Sequence, residues 1–147
     1  MKPRKTLSLA RSKVAQASPD AVMALLLDPA SWPRWQPEIS SAEGPRPLTS
    51  GDVATGRASM LGFRVLGRST TLDAGRDFFE QDVIVGVRMR IRYEVERSGE
   101  ASLITHNLEC DLPSGVLGRI LSLFLTPRLR RLQETALNQL ALRSVDR

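Results

Sequence analysis

Residues 87–95 read VRMRIRYEV, in which Val87, Met89, Ile91, Tyr93 and Val95 alternate strictly with Arg88, Arg90, Arg92 and Glu94. A period of two places the apolar set on one face of an extended chain, so this segment is a strand with one buried and one wet side. Looser alternation over residues 6–16 predicts a first strand. Between Ile39 and Leu112 the chain is punctuated by turn signals at Gly44-Pro45, Ser50-Gly51, Ala74-Gly75 and Ser98-Gly99, which divide it into roughly six antiparallel strands. With Ser98 and Gly99 as a two-residue turn, Arg97 faces Glu100, Val95 faces Ser102, Tyr93 faces Ile104, Ile91 faces His106, Met89 faces Leu108 and Val87 faces Cys110. On the other face the same register sets Arg88 against Glu109, Arg90 against Asn107 and Arg92 against Thr105.

Two segments carry the helical period instead. In SPDAVMALLLDP, Ser18 is an N-cap, Pro19 opens the first turn and Asp20 complements the helix dipole, with Val22, Met23, Leu25 and Leu26 forming the apolar stripe. Pro29 stops this helix, one more short turn is possible, and Pro33 and Pro37 then force an extended path, so residues 28–37 form a rigid elbow. The second helix spans residues 114–142, with Leu117, Ile120, Leu121, Phe124, Leu125, Leu129, Leu132, Ala136 and Leu140 at three- and four-residue spacings. Its length of roughly 40 Å lets it lie across a whole sheet, and Pro127 is expected to kink it.

Length and composition fit one compact domain over residues 1–147. The net charge of +5 is carried by Lys2, Arg4, Lys5, Arg11 and Lys13, with no acid among them, so residues 14–147 are formally neutral. The excess reads as a basic N-terminal arm centred on residues 1–5, not as a nucleic-acid-binding domain, and aromatic interleaving for base stacking is absent. A smaller concentration, Arg128, Arg130 and Arg131, leaves weak contact with an acidic membrane as an option. Apolar runs fall far short of the roughly 20 residues of a spanning helix, and the N-terminus lacks the apolar core of a secretion signal. With the single cysteine, Cys110, these features make the cytoplasm the expected location.

The order of strand, helix, Trp-rich elbow, antiparallel strands and long C-terminal helix resembles the helix-grip fold of the START-like (SRPBCC) superfamily, and more narrowly its polyketide cyclase/dehydrase-like branch. The stretches that carry the resemblance are ASPDAVMALLLDPASWPRWQPEI, GDVATGRASMLG, RIRYEVERSGEASLITHNLE and LPSGVLGRILSLFLTPRLRRLQETALNQL, nearly the whole chain. The resemblance implies an α+β fold: a curved seven-stranded antiparallel sheet wrapped around the C-terminal helix, with two short helices after the first strand. It also implies an apolar cavity between sheet and helix that holds a lipid, polyketide, quinone or similar molecule. A cyclase or dehydratase using the same cavity, and a lipid or quinone chaperone acting at membrane surfaces, are the alternatives. No motif requires an enzyme or a cofactor.

Within such a fold, His106 and Tyr93 on neighbouring strands are candidates to orient a ligand oxygen or to act as acid and base. His106 is the only histidine, and a lone inward histidine is more often a satisfied core group than a catalyst. The two tryptophans, Trp32 and Trp35, fall on one side of a short turn, and Trp35 is the one expected to close the cavity. Met60, Met89, Ile91, Leu108, Leu117, Leu121, Phe124 and Leu125 complete the expected lining of a cavity or a closed core. Cys110 reads as a small core residue. Glu80, Gln81 and Asp82 lie on a strand whose facing the pattern leaves open. One histidine and one buried cysteine supply no metal site.

Overall fold

A computed structural model describes residues 5–60 and 62–145, without the side chains of Lys5 and Met60. The basic arm at residues 1–4 lies outside them. The described chain runs β1 (Lys5–Ala15), α1 (Pro19–Leu26), a 3-10 turn (Pro29–Ser31), α2 (Trp32–Trp35), β2 (Ile39–Glu43), β3 (Val53–Met60), β4 (Phe63–Ala74), β5 (Phe78–Ile84), β6 (Arg88–Ser98), β7 (Ala101–Leu112) and α3 (Val116–Val145). The strands form one antiparallel seven-stranded sheet in the order β1-β7-β6-β5-β4-β3-β2. This is the helix-grip arrangement: α3 packs on the inner face of the sheet against β1 and β7, and α1 and α2 close its side. No helix among the described residues is long and apolar enough to cross a membrane.

Local chemistry sets the first half of the chain. The Ser18 side chain accepts a hydrogen bond from the Ala21 N–H at 3.2 Å, with Pro19 in the first turn. At its other end α1 has no glycine cap, and the elbow supplies donors in its place. The Ser31 hydroxyl donates to the Leu25 carbonyl (2.7 Å) and the Trp32 indole N–H donates to the Leu26 carbonyl (3.0 Å). These carbonyls are the orphan acceptors of a helix C-terminus, so side chains from the next turn finish the helix. Trp35 Nε1–H in turn donates to Ser31 Oγ at 3.2 Å, so Trp35 is tied to the end of α1 through Ser31, whereas Trp32 is tied to it directly.

The β6–β7 hairpin differs from its predicted register. Tyr93 pairs with His106, Met89 with Cys110, Ile91 with Leu108, Arg90 with Glu109 and Arg92 with Asn107. The turn residues are Gly99 and Glu100, because Gly99 is the residue that adopts positive φ, +63°, at the first turn position. Moving the turn by one residue shifts pairing by two. An even shift preserves the faces, so the apolar side stays inward and only the partners change. The arginine comb finds its acids chiefly on β5: Arg88 meets Asp82 at 2.9 Å and Arg92 meets Glu80 at 3.1 Å. Glu80 and Asp82 therefore face out, whereas Gln81 is buried on the inner face.

The last helix also departs from expectation at its N-terminal end. Gly115, with φ +84°, holds the start at Val116, and the helix continues through Pro127 as one element to Val145. Its buried face is Gly118, Leu125, Leu129, Gln133, Ala136, Leu137, Leu140, Ala141 and Ser144. Leu117 (59% exposed), Ile120 (46%) and Phe124 (62%) lie on the surface instead of in the core. A helix of 30 residues is about 45 Å long, more than the roughly 37 Å of an 11-residue strand, so it is longer than the strands it crosses.

Gly56 on β3 faces the irregularity in β2 between Ile39 and Ser41, and a Cβ there would run into the Ser41 carbonyl oxygen. Gly56→Ala is expected to cost about 1–3 kcal/mol in urea unfolding, because backbone, not a flexible side chain, must give way. Gly67→Ala, whose Cβ would meet Val85 at 3.5 Å and the Gly56 carbonyl oxygen at 3.9 Å, both ordinary contacts, should cost much less.

Candidate ligand cavity

Along the inner face of β2, β3 and β4, between Ile39, Val65 and Thr71, lie the small inward residues Ala42, Ala54, Gly56, Ala58, Gly67 and Ser69. Gly56 and Gly67 are direct cross-strand partners. Where β6 and β7 fill the space above the sheet with Met89, Ile91, Tyr93, His106 and Leu108, these small residues leave it empty. The result is a cavity of about 110 Å³ between the small-residue strands, the larger side chains of β6 and β7, and Leu129, Leu132, Gln133 and Ala136 of α3. That volume holds several water-sized groups. Trp32, Gln36 and Glu38 of the elbow and β2 approach line its remaining side.

Four polar residues give this mostly apolar space its chemistry. His106 and Tyr93, opposite each other across β6 and β7, meet edge to face with ring centroids 4.7 Å apart. His106 is buried, and its Nδ1 lies 2.8 Å from Nε2 of Gln133 on α3. An amide nitrogen only donates, so Nδ1 accepts and the imidazole proton resides on Nε2. Burial lowers the His106 pKa from 6.5 to about 4, which keeps the ring neutral near physiological pH. Gln133 Nε2 is also within hydrogen-bond distance of the carbonyls of Leu9 (3.3 Å) and His106 (3.1 Å), so one amide joins α3 to β1 and β7.

The Tyr93 ring stacks near Phe79 (6.5 Å, 12° between planes) and takes the edge of Trp35 at 6.0 Å. Its hydroxyl has no hydrogen-bond partner among the described residues. Burial, and secondarily the charge of Glu38, push its pKa well above the ordinary phenol value, so it keeps its proton and can donate. Glu38 itself has its carboxyl pKa raised by burial, and its Oε2 is sealed from solvent without a partner. Nearby, Ser69 Oγ donates to Gln81 Oε1.

Of the residues singled out from sequence, Met89, Ile91, Tyr93, His106 and Leu108 line the cavity. Trp35 does not: it is buried behind Tyr93, held by Ser31, and Trp32 takes the wall position. Leu125 is buried outside the cavity, Leu121 is half-buried, and Leu117 and Phe124 are exposed. The Met60 side chain lies outside the described residues. Cys110 is a buried free thiol, its pKa raised by burial. Sequence reasoning missed Glu38, Gln133 and the small-residue strands. The signal for the last was the period-two run Ala54, Gly56, Ala58, and for Gln133 a lone amide one turn after Leu129 on an apolar helix face.

A family model described as polyketide cyclase / dehydrase and lipid transport matches residues 6–144. The chain belongs to this family. Among solved structures it is similar to the Zhui aromatase/cyclase of Streptomyces sp. R1128 (13% identity, 95% of this chain and 94% of that one, TM-score 0.77). It is also similar to a protein of Thermus thermophilus (17%, 95% and 98%, 0.76) and to a START superfamily protein of Mycobacterium smegmatis (12%, 90% and 96%, 0.71). At these identities the likeness is one of fold. A search of curated proteins finds no match.

The depressed His106 pKa predicts a specific pH dependence of stability. The unfolded chain takes up this proton near pH 6.5 and the folded one near 4, so the contribution is whole above 6.5 and is lost as pH falls towards 4. Urea unfolding at pH 7 and 4.5 should show the wild type losing about 2 kcal/mol more than His106→Asn. The comparison with the variant isolates His106, because Glu38, whose pKa is raised, contributes with the opposite sign above pH 4.5.

Proposed function

We propose that this protein binds a small, mostly apolar molecule, such as a lipid, polyketide or quinone, in the cavity between the sheet and α3. The observation that carries this reading is a preformed cavity whose apolar wall is interrupted by two hydrogen-bond donors, the Tyr93 hydroxyl and the His106 Nε2–H. Neither group is set up as a strong base, since Tyr93 holds its proton and burial makes His106 a weak proton acceptor. Both are suited to orienting a ligand oxygen, which favours binding over acid–base turnover. The neutral probe N-phenyl-1-naphthylamine should bind with increased fluorescence. Gly67→Leu, or Ala58→Leu as a second variant, should weaken it about 10-fold or more by filling the space. Failure of folded wild-type protein to bind any neutral apolar probe would overturn the reading.

One further observation favours a carrier that visits membranes. The first half of α3 exposes Val116, Leu117, Ile120, Leu123 and Phe124, and the same helix exposes Arg119, Arg128, Arg130 and Arg131. Apolar side chains among arginines suit an anionic lipid surface. Binding to phosphatidylglycerol vesicles should fall several-fold in Leu123→Ser/Phe124→Ser and with added salt. Equal binding by the double variant would refute this docking face.

A further inference from the structure

The cavity wall offers two free donors, the Tyr93 hydroxyl and the His106 Nε2–H, and its one acid among the described residues, Glu38, has Oε2 sealed from solvent without a counter-ion. On the ligand-binding reading above, we infer that the cavity selects ligands by charge. It takes an uncharged molecule with a carbonyl-type acceptor and turns away the same skeleton ending in a carboxylate, with Glu38 as the discriminating residue.

Three features lead there. First, the inward polar hydrogens are donors: the Tyr93 hydroxyl has no partner among the described residues, and Gln133 occupies His106 Nδ1 so that only Nε2–H is left to point elsewhere. A ketone or quinone oxygen meets such donors directly. Second, among the described residues the wall holds no buried cation. Its two arginines, Arg57 and Arg68, are exposed, on positions that alternate with the inward Gly56, Ala58, Gly67 and Ser69. A buried carboxylate without a counter-ion bears most of its desolvation cost. Third, the one ionisable acid in the wall is Glu38, whose Oε2 is buried and unpartnered and whose charge is felt at the Tyr93 hydroxyl. A ligand carboxylate brought to the same donors would meet a second carboxyl group, and two such groups in one apolar site resist sharing negative charge.

The Glu38 side chain makes no ion pair among the described residues: its backbone carbonyl accepts from the Ser59 N–H at 2.8 Å, its carboxyl has a backbone hydrogen bond, and Oε2 is left sealed without a partner. An acid with one sealed, unpartnered oxygen fits a role in discrimination.

The test uses three molecules of one shape: 2-acetonaphthone, 2-naphthoate and 2-ethylnaphthalene, titrated into the full-length protein at pH 7.5 by fluorescence. Wild type should bind the ketone at least about 10-fold more tightly than the carboxylate. In Glu38→Gln that ratio should shrink several-fold, through tighter naphthoate binding. Tyr93→Phe should weaken the ketone while leaving 2-ethylnaphthalene unchanged. Glu38→Leu serves as a second variant if the amide perturbs folding, checked by circular dichroism. Ethylnaphthalene binding with an unchanged ketone-to-carboxylate ratio in both Glu38 variants overturns the charge selection and leaves the ligand-binding reading intact. If none of the three binds, that reading falls and the selection with it.

Discussion

One buried amide holds the functional half of this molecule together. Gln133 reaches from the middle of α3 to the Leu9 carbonyl on β1, and to both the ring and the carbonyl of His106 on β7. Apart from an exposed ion pair between Arg11 of β1 and Glu134 of α3 (3.5 Å), helix and sheet are otherwise joined by apolar side chains, which set a distance but no orientation. The amide adds direction: it fixes where the helix lies over the two strands and decides which imidazole nitrogen carries the proton. The His106 N–H left free in the cavity wall is therefore a consequence of how the helix is seated.

The second organising element is the aromatic column that begins at the elbow. Trp35, pinned by Ser31, lays its edge on Tyr93, and Tyr93 is flanked by Phe79 and His106. The column is rigid because each member is buried, Trp35 Nε1–H is held by Ser31 and His106 Nδ1 by Gln133, and only the Tyr93 hydroxyl and the His106 Nε2–H are left unoccupied. The elbow thus contributes support from behind the cavity wall, with Trp32 as its one indole in the wall itself.

A shared fold with aromatase/cyclases and START proteins leaves the chemistry to the side chains of the cavity. In this chain those side chains are a neutral histidine, a protonated phenol, an acid pushed by burial towards its neutral form, and apolar groups. Such a set suits a ligand that is itself uncharged, and on the proposed reading the cavity's electrostatics, more than its shape, would be the source of discrimination.

The sequence by itself determined the element order, the two-faced strand at residues 87–95, the capped first helix and the family. All of these rest on local periods, caps and turns that a few neighbouring residues encode. It also placed Met89, Ile91, Tyr93, His106 and Leu108 on the inner face, because alternation survives a two-residue error in register. Only the tertiary structure decided the direct pairing of Tyr93 with His106, which hung on which residue of Ser98-Gly99-Glu100 took positive φ. It alone decided that Trp32, not Trp35, meets the cavity, that the first turns of α3 face outward, and that one carboxyl oxygen of Glu38 is sealed without a partner. The physical reason is the same in each case. An apolar or charged side chain shows in sequence what it prefers, but an empty space is made by residues far apart that fail to fill it, here Gly56 and Gly67 on facing strands and Ala136 on the helix above them.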